Sequence, residues 1–222
     1  MPGFVILAAL LLLFLAPLLF AHLMAAGLAK LGLDPGTATV LVMGMIAGGF
    51  VNIPIRRIEH EDGVDVHPFA AFGLSGVFPQ MRRTRRDTVI AINVGGCIIP
   101  TVLAAYELSQ LAALSGGALL ATIIATGLNT AVCYYVARPV PGIGITMPGL
   151  LSPLVAAALA LILASPEAPP VAFVAGVLGP LIGADLLHLK DFGSRVAGMV
   201  SIGGAGTFDG IVLSGILAAY LA

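Results

Sequence analysis

Tryptophan is missing from this 222-residue chain, aromatic residues make up 6% of it and charged residues 9%. Soluble domains carry about 25% charged residues, so the shortage of charge excludes a soluble globular enzyme. The shortage of aromatics excludes an aromatic-rich core. It leaves the 59% hydrophobic content to aliphatic and small side chains, accompanied by 28 glycines, the composition of packed transmembrane helices. Cysteine is nearly absent too. Cys97 and Cys133 have no CxxC neighbour and no third partner, so they read as two small buried thiols and not as a disulfide framework or zinc site. Charge of either sign is balanced, ten Lys and Arg against eleven Asp and Glu, which makes nucleic acid an unexpected partner. No cofactor is expected.

What the chain has instead is long apolar runs. A bilayer core of about 30 Å takes about 20 residues of helix at 1.5 Å each. Runs of that kind lie at about 4–29, 36–55, 88–106, 116–137, 149–165, 170–189 and 203–222. The expectation is an all-α bundle of seven transmembrane helices forming a single domain over 1–222, with a polar loop at 56–87 and a Pro/Gly segment at 138–148. Arg56, Arg57, Arg82, Arg83, Arg85, Arg86, Arg138, Lys190 and Arg195 then fall on one side and only Lys30 on the other. Cytoplasmic loops hold the excess of Lys and Arg, so the reading is a multi-pass protein of the inner (plasma) membrane, amino terminus inside and carboxyl terminus outside. The first run lacks a positive flank and exceeds a signal-peptide core in length, so it is expected to remain as a helix.

Charge at bilayer depth costs at least about 2.5 to 3.5 kcal/mol for Asp, so a carboxyl there needs a partner or a task. Asp185 lies in Gly179-Pro-Leu-Ile-Gly183-Ala-Asp185-Leu-Leu-His188, five residues before Lys190, and Asp209 in Gly203-Gly-Ala-Gly206-Thr207-Phe-Asp209-Gly210. Helical rise puts Asp185 about 7 Å, and Asp209 about 9 Å, from the cytoplasmic end of consecutive antiparallel helices. If those helices pack together the carboxyls meet. Pro180 and the glycines at 203, 204 and 206 loosen the local helix, Gly206 and Gly210 present a bare stripe to a neighbour, and His188 shares a helix face with Asp185. A plainer reading makes Asp209 the opening of the last helix with Thr207 as its cap.

Two carboxyls in contact in a low dielectric share one proton. One, as carboxylate, can take a proton from water while the other, protonated, polarises the carbonyl under attack. The order of an Asp, a short basic loop and a Gly-rich approach to a second Asp resembles the Gly-x-Gly-Asp intramembrane aspartyl proteases, namely presenilin, signal peptide peptidase and the prepilin peptidases. The resemblance covers Ala184-Asp185-Leu-Leu and Gly206-Thr-Phe-Asp209-Gly-Ile-Val-Leu-Ser. It implies Asp185 and Asp209 as the catalytic dyad, with Gly206, Thr207, Gly210 and His188 about the substrate, a transmembrane peptide. Met147-Pro148-Gly149-Leu150 is the nearest equivalent of the late Pro-Ala-Leu motif of presenilin-type proteins. Thr207 and Phe208 stand where that family has x-Gly, and Ala184 where it has tyrosine. Over its whole length the chain is similar to a family of uncharacterised prokaryotic membrane proteins that share Ala-Asp-Leu-Leu and Gly-Gly-Ala-Gly-Thr-Phe-Asp-Gly strings.

Two alternatives stay open. The same aspartates, with Asn52, Asn93 and Asn129 at membrane depth, suit a transporter coupled to a proton or small cation, and a structural subunit of a membrane complex or a homo-oligomer would need no chemistry. Gly48-Gly49-Phe-Val-Asn52-Ile-Pro54 and Gly95-Gly96-Cys-Ile-Ile-Pro100 look alike but differ in spacing by one residue, too little to establish a repeat. In the polar loop, Asp62-Gly63 is a hairpin-turn signal. It would bring His60 opposite Asp65 and His67, a weak metal-binding candidate whose spacing matches no named motif; a solvated acidic hairpin is the plainer reading. Arg138 to Pro148 suits a re-entrant element or an ordinary connection.

Overall fold

A computed structural model describes residues 2–60, 86–140, 144–189, 198–204 and 210–222. Helices dominate them: α1 (Pro2–Ala29), α2 (Pro35–Gly48), α3 (Ile99–Leu114), α4 (Gly116–Val136), α5 (Leu151–Leu163), α6 (Ala168–Pro180) and α7 (Gly210–Leu221). A π turn over Val94–Ile98 leads into α3, a 3-10 turn over Ser165–Glu167 leads into α6, and a second π turn over Leu181–Leu186 follows it. Counting those turns, three described helical segments are long and apolar enough to cross a membrane: Val94–Leu114, Gly116–Val136 and Ser165–Leu186. Their outward apolar residues, such as Val102, Leu120, Ile123 and Tyr135, are exposed, as lipid contact requires and water does not favour. This is a membrane protein.

The helix limits follow from local chemistry. Asp34 accepts hydrogen bonds from the Gly36 and Thr37 N–H groups and Pro35 occupies the first position of α2, a preformed helix start. Ser115 caps α4 by accepting from Ala118 N–H at 3.0 Å. Pro180 has no N–H to return to the preceding turn, and the backbone widens into the π turn directly after it.

The expectation of an all-α protein is corrected by strands. β1 (Asn52–His60), β2 (Arg86–Asn93) and β5 (Gly198–Ile202) form a sheet in the order β1-β2-β5, and β3 (Arg138–Val140) pairs with β4 (Gly144–Thr146). β1 runs antiparallel to β2, with Asn52 opposite Asn93 and a register shift between Pro54 and Arg56; β2 runs parallel to β5, with Ile92 beside Ile202. Pro54 is tolerated because β1 is an edge strand with an irregularity at that point. Residues 52–55 and 88–93, expected as ends of transmembrane helices, are rich in β-branched Val and Ile and lie in strands that pair with each other instead. Helix α2 therefore ends at Gly48 and the third helical segment begins at Val94. Likewise the last helix does not begin at Gly203, because Gly203 and Gly204 take positive φ values of 81° and 64°, which end strand β5 in a turn and start no helix; its described part runs Gly210–Leu221. The proposed Asp62-Gly63 hairpin, with Asp65 and His67, lies outside the described residues, and His60 is the last residue of β1.

The core is built around α6. Val171, Ala172, Phe173, Val174, Ala175 and Val177 are all fully buried, so α6 is surrounded where α3 and α4 bury one face. Close approach of α7 depends on glycine: a Cβ on Gly176 would stand 2.7 Å from the Ser214 carbonyl oxygen and 3.0 Å from the Gly215 Cα, so Gly176 faces Gly215 in this pair; Gly206 lies outside the described residues. At the far end, Lys30 donates a hydrogen bond to the Tyr220 carbonyl at 2.7 Å, placing the ends of α1 and α7 together. The two similar Gly-Gly strings meet, a Cβ on Gly48 falling 2.9 Å from the Gly95 nitrogen.

Candidate functional site

Asp185 sits on the π turn that continues α6. Its carboxylate Oδ2 accepts a hydrogen bond from the Gly203 N–H at 3.1 Å. Gly203 can present that N–H because φ is +81° there and because it carries no side chain; an added Cβ would stand 2.6 Å from the Cys97 Cβ and 2.7 Å from the Cys97 nitrogen. Cys97 and Cys133 are both buried and not disulfide-bonded.

A chain of hydrogen bonds next to this contact fixes the strand ends. Ser201 Oγ donates to Asn52 Oδ1 at 2.6 Å. Asn93 Nδ2 donates to the same oxygen at 3.0 Å and to the Gly49 carbonyl at 2.8 Å, while Asn93 Oδ1 accepts from Gly96 N–H at 2.6 Å. Asn93 is fully buried with all of these demands met, so its task is to lock β1, β2 and the π turn before α3 into one frame. Ser201 and Gly203, two residues apart on β5 and its turn, join that frame to Asp185.

On its other side Asp185 lines a cavity of about 250 Å³ together with Thr146, Met147, Gly149, Pro180 and Gly210. The β3–β4 hairpin, the start of α5, the end of α6 and the start of α7 thus converge on one space. Among the residues singled out from sequence, Asp185, Gly149 and Gly210 share this wall; Pro148, between Met147 and Gly149, is exposed. Asp209, Gly206 and Thr207 lie outside the described residues, Asp209 being the residue before Gly210 in the chain. His188 is not among the residues lining this cavity. Its Nδ1 is 3.0 Å from the Gly183 carbonyl and 3.1 Å from that of Ala184, so this nitrogen carries the proton, and its ring lies 4.9 Å from that of Tyr134. Among the described residues no group of three His, Cys, Asp or Glu side chains is placed to hold a metal ion.

A second buried polar cluster ties four helices. Asn129 of α4 donates to Ser152 of α5 at 3.0 Å and to the Ala175 carbonyl of α6 at 2.9 Å, and Ser152 shares a 2.6 Å hydrogen bond with Ser214 of α7. With its amide satisfied, Asn129 is structural. No motif in the sequence marks Ser201 or Glu107. Glu107 falls one residue past the apolar run expected at 88–106, whereas α3 continues to Leu114; its place four residues after Leu103 and four before Leu111, on the apolar stripe, is the signal that points to it.

Fold and site together define a helical membrane protein in which a glycine-anchored carboxylate opens onto a small cavity beside a strand junction. The chain belongs to the family described as "Protein of unknown function (DUF1614)", whose model matches residues 46–221. No curated protein and no solved structure matches the chain.

Proposed function

We propose that this is a seven-span protein of the inner membrane, amino terminus in the cytoplasm, that uses Asp185 and Asp209 as a proton-sharing pair to hydrolyse a peptide bond of a transmembrane substrate. The observation that carries this reading is the shared cavity: Asp185 lines it with Gly210, the residue after Asp209, and with Gly149. In this reading Asp209 stands at the mouth of α7 opposite Asp185. One aspartate, as carboxylate, takes a proton from a water while the other, protonated, donates to the scissile carbonyl. The Gly203 N–H, bound to Oδ2, fixes which Asp185 oxygen faces the water. Gly149 and Gly210, with Pro148, Gly206 and Thr207, leave room for an extended substrate backbone, and His188 positions the π turn through the Gly183 and Ala184 carbonyls. The apolar helices among the described residues, three of them long enough to cross a membrane, and the Arg excess that the seven-span reading puts on one side support the topology. A proton-coupled transporter is the second reading, favoured by the buried carboxyl of Glu107.

The test is cleavage of a library of transmembrane peptides by the purified protein in lipid nanodiscs. Asp185→Asn and Asp209→Asn each abolish cleavage while the protein still inserts. Cleavage that survives in the Asp185→Asn/Asp209→Asn double variant overturns the proposal.

A further inference from the structure

Glu107 is 4% exposed, and its Oε1 has no hydrogen-bond partner among the described residues. It lies on the buried stripe of α3 with Leu103, Ala104 and Leu111, seven residues before the helix end and so about 10 Å inside it. A structural carboxyl in such a place is retained for the hydrogen bonds it makes; this one leaves an oxygen unused. An uncompensated negative charge there is costly enough that the group must carry a cation. A metal ion would need several oxygen ligands converging on it, and among the described residues Glu107 belongs to no group of metal-binding side chains; a proton needs no further ligand.

A route is present beside it. A groove of about 730 Å³ runs between the start of α2 and α3, lined by Gly32, Asp34, Thr37, Val102, Leu103 and Tyr106. Its polar end, at Asp34 and Thr37, is exposed; along α3 it is lined by the half-exposed Tyr106 and by the buried Leu103, which lies one turn before Glu107 on the same buried stripe. The elements packed on α3 bring few competing groups. Helix α6 and the helical residues of α2 have no ionisable side chain; the π turn before α3 brings Cys97, and α7 brings Tyr220 at its exposed end. Helix α4 brings Cys133, Tyr134 and Tyr135, about 25 Å or more along it from the turn that joins it to α3, against about 10 Å for Glu107.

We propose that Glu107 is a proton-binding site of the membrane core that loads and unloads through the α2–α3 groove. This assignment is independent of the Asp185 reading.

The test is infrared difference spectroscopy on the full chain in lipid nanodiscs, following a change from water to D2O. The expected result is a protonated-carboxyl carbonyl band that shifts in D2O, is lost in Glu107→Gln, and shifts at least tenfold more slowly in Val102→Trp, which plugs the groove. Three results overturn the proposal: a Glu107→Gln spectrum identical to wild type, a band that ignores D2O, or an exchange rate untouched by Val102→Trp. Should Glu107→Gln fail to insert, labelling of the wild-type protein with a hydrophobic carbodiimide decides the matter. The carboxyl oxygen adds to the carbodiimide carbon, the acid proton moves to a carbodiimide nitrogen, and the acyl group then migrates to nitrogen as a stable acylurea. Mass spectrometry should find the adduct on Glu107, and its absence there overturns the proposal.

Discussion

The Asp185 carboxylate and the Gly203 N–H meet at 3.1 Å, and that one hydrogen bond joins the end of α6 to the turn after β5. Through Ser201, two residues earlier, the same turn is tied to Asn52 and Asn93. The carboxylate is therefore held from a rigid strand junction and not from a loop of its own.

Gly203→Ala should break this arrangement. A side chain at φ +81° costs about 1 to 2 kcal/mol, and the new Cβ would overlap Cys97. Thermal unfolding in detergent should show a clear loss relative to Gly116→Ala, where an added Cβ meets nothing within 4 Å. Equal melting of the two variants would contradict the packing of the turn against Cys97.

Asn129→Ala removes the links from α4 to Ser152 and to the Ala175 carbonyl. Leaving buried polar groups unsatisfied costs about 1 to 3 kcal/mol. The variant should unfold at lower denaturant concentration with a cavity-lined site untouched, so any peptide cleavage by the folded fraction should match wild type.

Gly149→Val separates folding from function in the opposite sense. An added Cβ at 149 meets nothing within 4 Å, yet the residue lines the Asp185 cavity. Melting should be unchanged while cleavage falls about 10-fold to 100-fold, since small displacements of a substrate carry penalties of that size. Unchanged cleavage would remove Gly149 from the site.

Asp34 carries a pH signature outside the membrane-spanning helices. The Thr37 hydroxyl, donating at 2.5 Å, and the Thr37 and Gly36 N–H groups hold its carboxyl below the usual aspartate range. The folded state thus favours the carboxylate. The resulting stability is present at neutral pH and is lost as pH falls below about 4, through the depressed range. Melting curves at pH 7 and pH 3 should differ less in Asp34→Asn than in wild type.

Much of this was legible in the residues. Each apolar run overlaps one of the described helices, and three helical segments, Val94–Leu114, Gly116–Val136 and Ser165–Leu186, are long and apolar enough to cross a membrane. The strands were not legible, because Val and Ile at 52–55 and 88–93 are equally apolar in a helix or a sheet, and only their pairing across the polar loop decides between them. Asp185, Gly149 and Gly210 could be singled out as polar or bare positions, but their meeting at one cavity depends on the β3–β4 hairpin, which has no helix period to announce it. Glu107 was hidden by a helix end placed eight residues too early, at 106 where α3 runs to Leu114; such limits rest on capping, here Ser115, whose side chain caps the following helix.

The central claim is that Asp185 and Asp209 face each other across one site. Disulfide trapping tests it directly. In a Cys97→Ala/Cys133→Ala background, Asp185→Cys/Asp209→Cys should cross-link under mild oxidation, since a disulfide forms when the two Cα atoms lie about 4.4 to 6.8 Å apart. Asn52→Cys/Asn93→Cys, directly opposite across β1 and β2, is the positive control. Cross-linking of both pairs is the predicted result; a control that cross-links while the aspartate pair stays reduced would contradict the paired-carboxyl account.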